Sequence, residues 1–529
     1  MAIIFGLLFL FVFSINNLLI KLGYDDSSYV SHAFTIGLDF DLNYKNEPID
    51  ESYSHKNVPP HPIGTGLLAA PFVALFSVID KIQGHGIISD HSNHLNSWSL
   101  FGFVFSNSIF FFIGIYLYIK SFQLLSLLDY DNNFIILLIL SSTVPFFVLN
   151  RYFFSHSYEF FSVSILFWCL IKIYYKVKNN KPIFYFIIIY AFCFSLNLFI
   201  RYSNINLLLL PPILFIIILL FIDNKNNLRK SDKKKIILLG FLLVVVGIIS
   251  VIPNSIFLYF NYGSFIPKPS LIYDKPLWME SYSLFEMIVI IFKRIPYIFR
   301  MLFSSEMGLL YTNPVIPVGF VSGIYLIIKK QIKFRKKNYL LILLTSLIIC
   351  FFGFGVSIHL WWQEMASSYG YRYLLQTFPV ALLFIFICKK QLKSNRYYYK
   401  QIVIILAVIS TISMGFFSST PLLKLSSKVN VFNQQKKYSG NGYMLDLCKE
   451  IIKPYTWLRV IAKGPIGVIV SPIIIKNKIG SNYIDVREDY KKYYLRSQII
   501  NKNIPLQILL LFFTWVLFGC KLDFIRIKS

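Results

Sequence analysis

The stretch "KNNLRKSDKKKIILLGFLLVVVGIISVIPNSIFL", residues 225–258, joins a cluster of basic residues to a run, Ile236–Leu258, that has no charged side chain. A helix of about 20 apolar residues spans the hydrocarbon core of a bilayer. Lys and Arg accumulate beside the cytoplasmic ends of such helices. The stretch therefore predicts a transmembrane helix that begins in the cytoplasm near Lys235 and ends outside near Leu258.

The rest of the chain has a similar composition. Of its 529 residues, 56% are hydrophobic and only 15% are charged, which predicts an all-α polytopic membrane protein. The net charge of +27 is carried by short basic runs between apolar segments, as lipid contact and membrane insertion require. A nucleic-acid partner is therefore not supported. Five of the six cysteines lie in or beside apolar segments, which argues against a disulfide framework.

Twelve segments are apolar enough to predict membrane crossings. The first, Ala2–Ile20, has no small-residue cleavage site and is predicted to be an uncleaved signal anchor. Segments shorter than about 20 residues are expected to extend a few residues at each end. The predicted crossings are Ala2–Ile20, Trp98–Ile119, Phe134–Leu149, Tyr158–Tyr175, Ile183–Ile200, Ile205–Ile222, Ile236–Leu258, Pro314–Ile328, Tyr339–Ser357, Leu374–Cys388, Ile402–Phe417 and Leu506–Phe518.

The connections between these segments fall into two chemically distinct sets. If the N-terminus is cytoplasmic, the basic connections all lie on the cytoplasmic side, in agreement with the positive-inside rule. The opposite set carries all eight histidines. Both termini are therefore predicted to be cytoplasmic. The basic segments are Lys176–Lys181, Lys225–Lys235, Lys329–Lys337, Lys389–Lys400 and the tail Lys521–Ser529.

Two further apolar stretches, Pro62–Ile79 and Leu284–Phe303, are not counted as crossings. Counting Pro62–Ile79 would invert every later connection and place the lysine clusters outside. Lys293, Arg294 and Arg300 interrupt the second stretch. Both are predicted to be helices in the outer interface.

These assignments divide the chain into three parts. Residues 1–417 form a transmembrane domain whose first outer loop is residues 21–97. Residues 418–505 are polar and too long for an ordinary connection, which predicts a small outer module. Residues 506–529 form the last span and a cytoplasmic tail.

The first outer loop opens with "GYDDSSYVSHAF", Gly23–Phe34, in which two aspartates directly precede a helical pattern. The spacing of the apolar residues predicts a short amphipathic helix that rests on the membrane. One aspartate can cap such a helix. The other, at the lipid boundary, has the partly desolvated setting that suits a general base. Asp25 and Asp26 are therefore candidate catalytic residues.

Six later segments, together with this acid pair, resemble one family. They are "GLDFDLNY" (Gly37–Tyr44) with "HPIGTGLLAAP" (His61–Pro71), "RYFFSHSYEFF" (Arg151–Phe161), "FIRYSNINLLLLP" (Phe199–Pro211), "SSEMGLLYTNPVIP" (Ser304–Pro317) and "WWQEMASSYGYRYLLQTFPV" (Trp361–Val380). In this order they resemble the GT-C superfamily of membrane glycosyltransferases, which includes protein O-mannosyltransferases and lipid A aminoarabinose transferases. The resemblance runs from the N-terminus to about Val380 and does not extend beyond Ser418. Asp26 stands where the family commonly has Glu, and Ile63 replaces a Pro.

The resemblance implies a GT-C-like helical bundle of about 12 spans with interfacial helices in the first outer loop. It implies transfer of a sugar, with inversion, from a polyprenyl-phosphate donor to a hydroxyl of a lipid, glycan or protein acceptor. The reaction would take place at the outer face of a bacterial cytoplasmic membrane and modify the cell envelope. Missing nucleotide-binding glycine loops agree with a lipid-linked donor.

The same resemblance suggests roles for individual side chains. Asp25 would be the base, with Asp26 orienting it or helping to hold a divalent metal ion. Arg201 and Arg372 would bind the leaving phosphate, whose negative charge grows in the transition state. The sugar or acceptor site would be lined by His61, His156 and Tyr371.

Each candidate also has a structural interpretation. His156 can be a polar residue at a helix start, and Arg201 and Arg372 can extend toward lipid headgroups. His91-x-x-His94, with His85 nearby, is a weak metal signal because no third ligand is assigned.

Two other functional classes remain open. A transporter or flippase of lipid-linked glycans fits twelve spans, but it would carry ionisable residues near the middle of the membrane, and the predicted spans have almost none there. An envelope glycan polymerase or ligase shares the donor and the topology. Such an enzyme would be expected to depend on outer-loop arginines rather than on an acid pair.

Overall fold

A computed structural model of the protein describes residues 24–45, 47, 58–84, 97–128, 132–150, 153–223, 230–268, 271, 283–295, 298, 301–302, 309–333, 339–361, 371–392 and 395–419. All regular secondary structure within these ranges is helical, which confirms the predicted all-α class for this part of the chain. The predicted first and last spans and the module at residues 418–505 lie outside the described residues, apart from Ser418 and Ser419 at the end of a helix.

In the first part of the chain the helices are α1 (Tyr24–Phe34), α2 (Gly64–Ile82), α3 (Trp98–Leu124), α4 (Asn132–Leu140), α5 (Val144–Asn150), α6 (His156–Lys178), α7 (Phe184–Ile200) and α8 (Leu210–Ile217). A 3-10 segment, Tyr202–Leu209, precedes α8, and a π-helical turn, Ile218–Ile222, follows it. The later helices are α9 (Lys230–Ile249), α10 (Ile252–Tyr262), α11 (Leu284–Arg294), α12 (Leu309–Thr312), α13 (Val315–Lys333), α14 (Tyr339–Trp361), α15 (Phe378–Gln391) and α16 (Arg396–Ser419).

Within the described residues, eight helical segments are long and apolar enough to cross a membrane, and α7 is a shorter apolar helix. This agrees with the multi-pass character that the composition predicts. The eight segments are Gly64–Ile82, Trp98–Leu124, His156–Lys178, Tyr202–Ile222, Ser231–Tyr262, Val315–Ile332, Tyr339–Leu360 and Arg372–Gln391.

The predicted crossing Phe134–Leu149 is formed by two short helices rather than one. Ser141 and Ser142 separate α4 from α5, and each hydroxyl donates to a carbonyl of the preceding turn, Leu138 O and Ile139 O respectively. Such local bonds compete with helix continuation. The count of twelve crossings stays a prediction.

The direction of the helices follows from contacts between α3 and α6. Ser106 Oγ lies 2.6 Å from Tyr158 Oη, and the Phe122 ring lies 5.9 Å from the Phe167 ring. The contacts advance in the same direction along both helices, so α3 and α6 are parallel. Two membrane helices can be parallel only if the chain returns between them. The arrangement therefore agrees with the predicted return through Phe134–Leu149.

The described ends of the basic connections meet at one end of the bundle. Lys178 Nζ lies 2.7 Å from Oδ1 of Asp223, and Lys330 Nζ donates to the carbonyl of Leu220 over 2.6 Å. Lys390 Nζ donates to the carbonyl of Ser126 over 3.0 Å. The segregation of basic residues in the sequence thus corresponds to one physical end of the bundle, which we name the lysine end.

Helix α15 lies at the centre of the bundle. Its residues from Phe378 to Lys389 are all buried, so the helix has no face that is left for lipid. Aromatic rings of α3 and α6 pack against it, with Phe122 4.9 Å from Phe386 and Phe160 6.0 Å from Phe378. A helix that is apolar on all sides is expected in such a position.

Helix α1 differs from the amphipathic surface helix that the spacing predicts. Every residue from Ser27 to Phe34 is buried, including the polar His32 and Ser31. The polar side chains are accommodated because they form hydrogen bonds within the protein: Ser31 Oγ donates to the Ser27 carbonyl over 2.9 Å, and both ring nitrogens of His32 have partners. The helix is therefore part of the packed protein rather than a covering element.

Helix α2 corresponds to the predicted interfacial stretch Pro62–Ile79 and runs antiparallel to the first half of α3. The Asp80 carboxylate accepts hydrogen bonds from the backbone N–H groups of Trp98 and Ser99, both over 2.8 Å. Helix α2 is long and apolar enough to span, so its interfacial placement stays a prediction, as does that of α11 within Leu284–Phe303.

Candidate functional site

At the end of the bundle opposite the lysine end, the start of α6 meets the turn that follows α7. Glu159 lies in the first turn of α6 and is fully buried. Its Oε2 accepts a hydrogen bond from Nη1 of Arg201 over 3.1 Å and lies 3.2 Å from Nδ1 of His156. Arg201, with 9% of its surface exposed, is thus a buried cation held by a buried carboxylate.

The charge of Arg201 is stabilised by its surroundings. Burial lowers the pKa of the guanidinium, but the neighbouring Glu159 carboxylate raises this pKa by more, and the net result lies above the usual range. Arg201 is therefore a cation near neutral pH. A buried carboxylate partner is what makes a buried arginine tolerable in an apolar protein.

A second arginine enters the same cluster from the turn that precedes α15. The Arg201 guanidinium lies 4.4 Å from the centre of the Tyr373 ring, and the Arg372 guanidinium lies 5.4 Å from it. Arg372 also lies 5.8 Å from the Phe154 ring, which stacks at 5.9 Å on His156. Two guanidinium groups thus share one aromatic ring, a geometry in which cation–π attraction offsets part of their mutual repulsion.

The backbone at Tyr371 is unusual. With φ 52° and ψ 61° this residue adopts the left-handed conformation, which costs on the order of 1 kcal/mol or more for a residue other than Gly. It directly precedes the 3-10 segment Arg372–Thr377. His359 of α14 supports this turn, because its Nε2 accepts from the Tyr373 N–H over 3.2 Å and its ring lies 5.1 Å from Tyr371.

Helix α1 contacts the cluster through Tyr29. The Tyr29 hydroxyl donates to Ser155 Oγ over 3.2 Å, next to the start of α6. The same ring lies 5.1 Å from the His61 ring. Tyr29 therefore joins His61, in the "HPIGTGLLAAP" segment, to the cluster around His156.

The backbone of His61 is held by α1. The Ser28 hydroxyl accepts from the His61 N–H over 3.4 Å, and His32 Nε2 lies 2.8 Å from the His61 carbonyl oxygen. Burial lowers the pKa of His32 to about 4, against an opposing effect of the His61 carbonyl, so this ring is neutral near pH 7. Since a carbonyl only accepts, Nε2 carries the hydrogen, and Nδ1 accepts from the Tyr44 hydroxyl at 2.8 Å.

The acid pair lies in the first turn of α1. Asp26 is buried, with 6% of its surface exposed. Asp25 belongs to the same helix, but its side chain lies outside the described residues.

The structure brings together five of the seven predicted site residues. His156, Arg201 and Arg372 surround Tyr373 and Phe154, Tyr371 joins through His359, and His61 joins through Tyr29. The predictions did not include Tyr29, Phe154, Glu159, His359 or Tyr373. Helical spacing places Glu159 one turn after His156, which favours His156 as a site residue, and it could also have found Tyr29, which is four residues from Asp25. Nothing in the sequence joins His359 to Tyr373.

The described residues contain no group of three or more His, Cys, Asp or Glu side chains that could hold a metal ion. The histidines of the weak metal signal, His85, His91 and His94, lie outside the described residues. The suggested divalent ion near Asp26 stays a prediction.

Comparisons with protein-family models, with curated proteins and with solved structures found no match. The chemistry of the site itself therefore has to carry the functional argument.

Proposed function

We propose that the protein is a GT-C-type membrane glycosyltransferase that moves a sugar from a polyprenyl phosphate to a hydroxyl acceptor. The observation that carries the proposal is the pair of guanidinium groups, Arg201 and Arg372, that both lie close to the Tyr373 ring, 4.4 Å and 5.4 Å from its centre, at one end of the bundle. Guanidinium groups are the preferred partners of phosphate oxygens in proteins. A phosphate bound at this end of the bundle would leave its lipid chain beside the apolar helices.

The acid pair supports a transfer reaction rather than phosphate binding alone. Inverting transfer requires a base that removes the proton of the acceptor hydroxyl on the face opposite the leaving group. In the proposal Asp25 is this base and Asp26 orients it. Arg201 and Arg372 stabilise the charge that develops on the leaving phosphate. In the proposal His61, His156 and Tyr371 line the sugar or acceptor site.

The direction of the helices supports an outer active site. The cluster lies at the end opposite the lysine end, and basic residues mark the cytoplasmic side of a membrane protein. The proposal includes the cytoplasmic membrane of a bacterium, cytoplasmic termini, about twelve crossings and an interfacial position for α2 in the first outer loop. Lipid, glycan or protein of the cell envelope is the acceptor.

The distribution of ionisable residues favours this proposal over a transporter. In the described spans, the charged site residues Glu159 and Arg372 lie in the first turns of their segments, and Lys389 and Lys390 lie in a last turn. Transporters place such residues near the middle of the membrane, where substrate and ion sites lie. A glycan polymerase or ligase would use the same donor, but it would be expected to depend on outer-loop arginines rather than on the acid pair in the first outer loop.

Two experiments test the proposal. Mass spectrometry of cell-envelope glycans, with and without the gene, should show loss of one sugar modification that the wild-type gene restores. The purified protein in lipid nanodiscs should bind a polyprenyl-phosphate hexose. An unchanged glycan profile together with no binding of the lipid-linked hexose would rule out the proposed activity.

A further inference from the structure

Arg201 uses one corner of its guanidinium for its polar contacts inside the protein. Its Nη1 lies 3.1 Å from Oε2 of Glu159 and 2.8 Å from Nδ1 of His156. The 3.5 Å approach to Nε2 of His156 also involves Nη1. Within the part of the chain that the structure describes, Nε and Nη2 of Arg201 form no hydrogen bond. Glu159 therefore holds Arg201 by a single nitrogen.

The other edge of the Arg201 guanidinium is open. The buried polar atoms that lack a partner among the described residues include none of Arg201, so the unbonded Nε and Nη2 reach the surface. They belong to a side chain that is 10% exposed. Nε and Nη2 form an edge of arginine whose parallel N–H groups can bind two oxygens of one phosphate. The contact with Glu159 thus leaves a fork that is suited to a single phosphate group.

Glu159 is placed to act on that fork through its charge rather than by contact with a ligand. It is 0% exposed, and its Oε1 is buried without a hydrogen-bond partner among the described residues. An arginine keeps its positive charge in proteins, so a buried one requires an anion, and Glu159 supplies it. Arg372 also interacts electrostatically with this carboxylate. Two cations therefore share one buried anion, which cancels part of their charge.

We propose that Glu159 is a positioning residue that sets the donor specificity: it holds Arg201 by Nη1 so that the Nε–Nη2 edge binds one phosphate, and its negative charge disfavours a second phosphate. The inference rests on the proposed function and extends it to the number of phosphates in the donor.

The selectivity follows from Coulomb's law. A carboxylate that is shielded from water repels an anion bound at the far edge of the guanidinium, and the repulsion is proportional to the charge of that anion. Polyprenyl-phosphate hexose carries a single negative charge at its phosphodiester, whereas polyprenyl-diphosphate hexose carries two. Glu159 therefore weakens the binding of the diphosphate lipid more than that of the monophosphate lipid.

Binding of these two hexose lipids by the full-length protein in nanodiscs tests the inference. The wild type should bind the monophosphate lipid more tightly than the diphosphate lipid. Glu159→Gln keeps an oxygen that accepts from Arg201 but removes the charge. Its ratio of the two affinities should shift toward the diphosphate lipid by about fivefold or more, as expected for loss of a charge close to a partly buried anion site.

Glu159→Asp is the matched control, because it keeps the charge but shortens the side chain that reaches Arg201. Both affinities should fall by about threefold to tenfold as the hydrogen bond to Nη1 weakens, while their ratio stays at the wild-type value. Thermal unfolding in detergent shows whether each variant is folded. If Glu159 had only a structural role, Glu159→Gln would leave the ratio unchanged, and that result would overturn the inference. A wild-type protein that binds the diphosphate lipid as tightly as the monophosphate lipid would overturn it without any variant.

Failure of the inference and failure of the proposed function give different results. If the wild type binds neither hexose lipid, the proposed glycosyltransferase activity and the role of Glu159 are both wrong. If the wild type binds the monophosphate lipid but Glu159→Gln does not change the ratio of affinities, the glycosyltransferase proposal stands and the role of Glu159 alone is wrong.

Discussion

Arg201 and Tyr373 are in direct contact, with the guanidinium 4.4 Å from the ring centre, although they come from turns at the ends of different helices. Arg201 follows α7, and Tyr373 lies in the 3-10 segment that leads into α15. This contact brings a second cation, Arg372, next to the first. The proposed phosphate site depends on this relationship between the two turns.

Replacement of Arg372 tests that environment directly. Arg372→Ala should weaken binding of polyprenyl phosphate about tenfold or more, the usual effect of losing a hydrogen bond from a charged donor. Arg372→Lys keeps the charge but not the planar fork, so its affinity should be intermediate. Binding is measured in nanodiscs with a fluorescent lipid.

The matched control is Lys390→Ala, which removes a cation near the other end of α15, where Lys390 donates to the Ser126 carbonyl. This variant should bind the lipid as well as the wild type. Equal losses in both variants would show that overall charge, and not the arginine site, governs binding.

Replacement of Asp25 tests the proposed base. Asp25→Asn should lower the rate of sugar transfer by a factor of about 100 or more, while donor binding and thermal stability stay near wild type. Rates are measured by mass spectrometry of the product. A variant that retains transfer would remove Asp25 from the mechanism.

His32 should make the stability of the protein depend on pH. Its pKa is about 4 in the folded protein and 6.5 when exposed, so the unfolded chain binds more protons between these values. Stability contributed by neutral His32 is fully present above about pH 6.5, falls as the pH decreases toward 4, and changes no further below that. The loss amounts to about 3 kcal/mol at most, because each pKa unit corresponds to about 1.4 kcal/mol.

Thermal unfolding in detergent as a function of pH measures this effect. The difference between wild type and His32→Gln isolates the contribution of His32 from those of the other histidines. The variant should be less stable at pH 7 but should lose less stability on acidification. Parallel curves for the two proteins would mean that His32 does not titrate on unfolding.

Asp80 should stabilise the packing of α2 against α3 but should not affect lipid binding at the candidate site. Its carboxylate accepts from the N–H groups of Trp98 and Ser99 and from Ser99 Oγ at 2.5 Å. Asp80→Ala should therefore lower the free energy of unfolding by about 1–3 kcal/mol, as expected for a lost helix cap with buried donors. Ser99→Ala removes one of the three bonds and should cost less. Lipid binding should be unchanged in both variants. An Asp80→Ala protein with wild-type stability would show that these hydrogen bonds do not contribute to the free energy of unfolding.

Gly66 is predicted to be a position where only glycine fits. An added Cβ would lie 2.3 Å from the His32 Cβ and 2.7 Å from its carbonyl carbon, so α1 and α2 would have to separate. Gly66→Ala should lower the unfolding free energy by about 1–3 kcal/mol, the typical cost of overpacking.

Gly353 provides the matched control, because it is exposed, lies within α14, and has no atom within 4 Å of an added Cβ. Gly353→Ala should be neutral or stabilise by up to about 1 kcal/mol through helix propensity. Both variants are compared by thermal unfolding, and the reverse order of stabilities would contradict the described packing of α1 on α2.

Much of the fold could be predicted because its determinants are local. Long apolar runs such as Ile236–Leu258 require helices in a membrane, since backbone groups there must bond within the segment. Basic clusters such as Lys225–Lys235 indicate which ends of the helices lie on the cytoplasmic side of the membrane. The gathering of His156, Arg201 and Arg372 at the opposite end follows from the order and direction of the spans alone.

The packing between distant segments could not be predicted in this way. Hydrophobic periodicity shows which face of a helix is apolar, but not which neighbour covers it, and for this reason the burial of α1 on all sides was not foreseen. Depth and rotation of each helix depend on close contacts such as Gly66 against His32. Those contacts decide that Glu159 reaches Arg201 and that both arginines share Tyr373. Span order could place these residues at one end of the bundle, but only the fit of side chains between helices could bring them into contact.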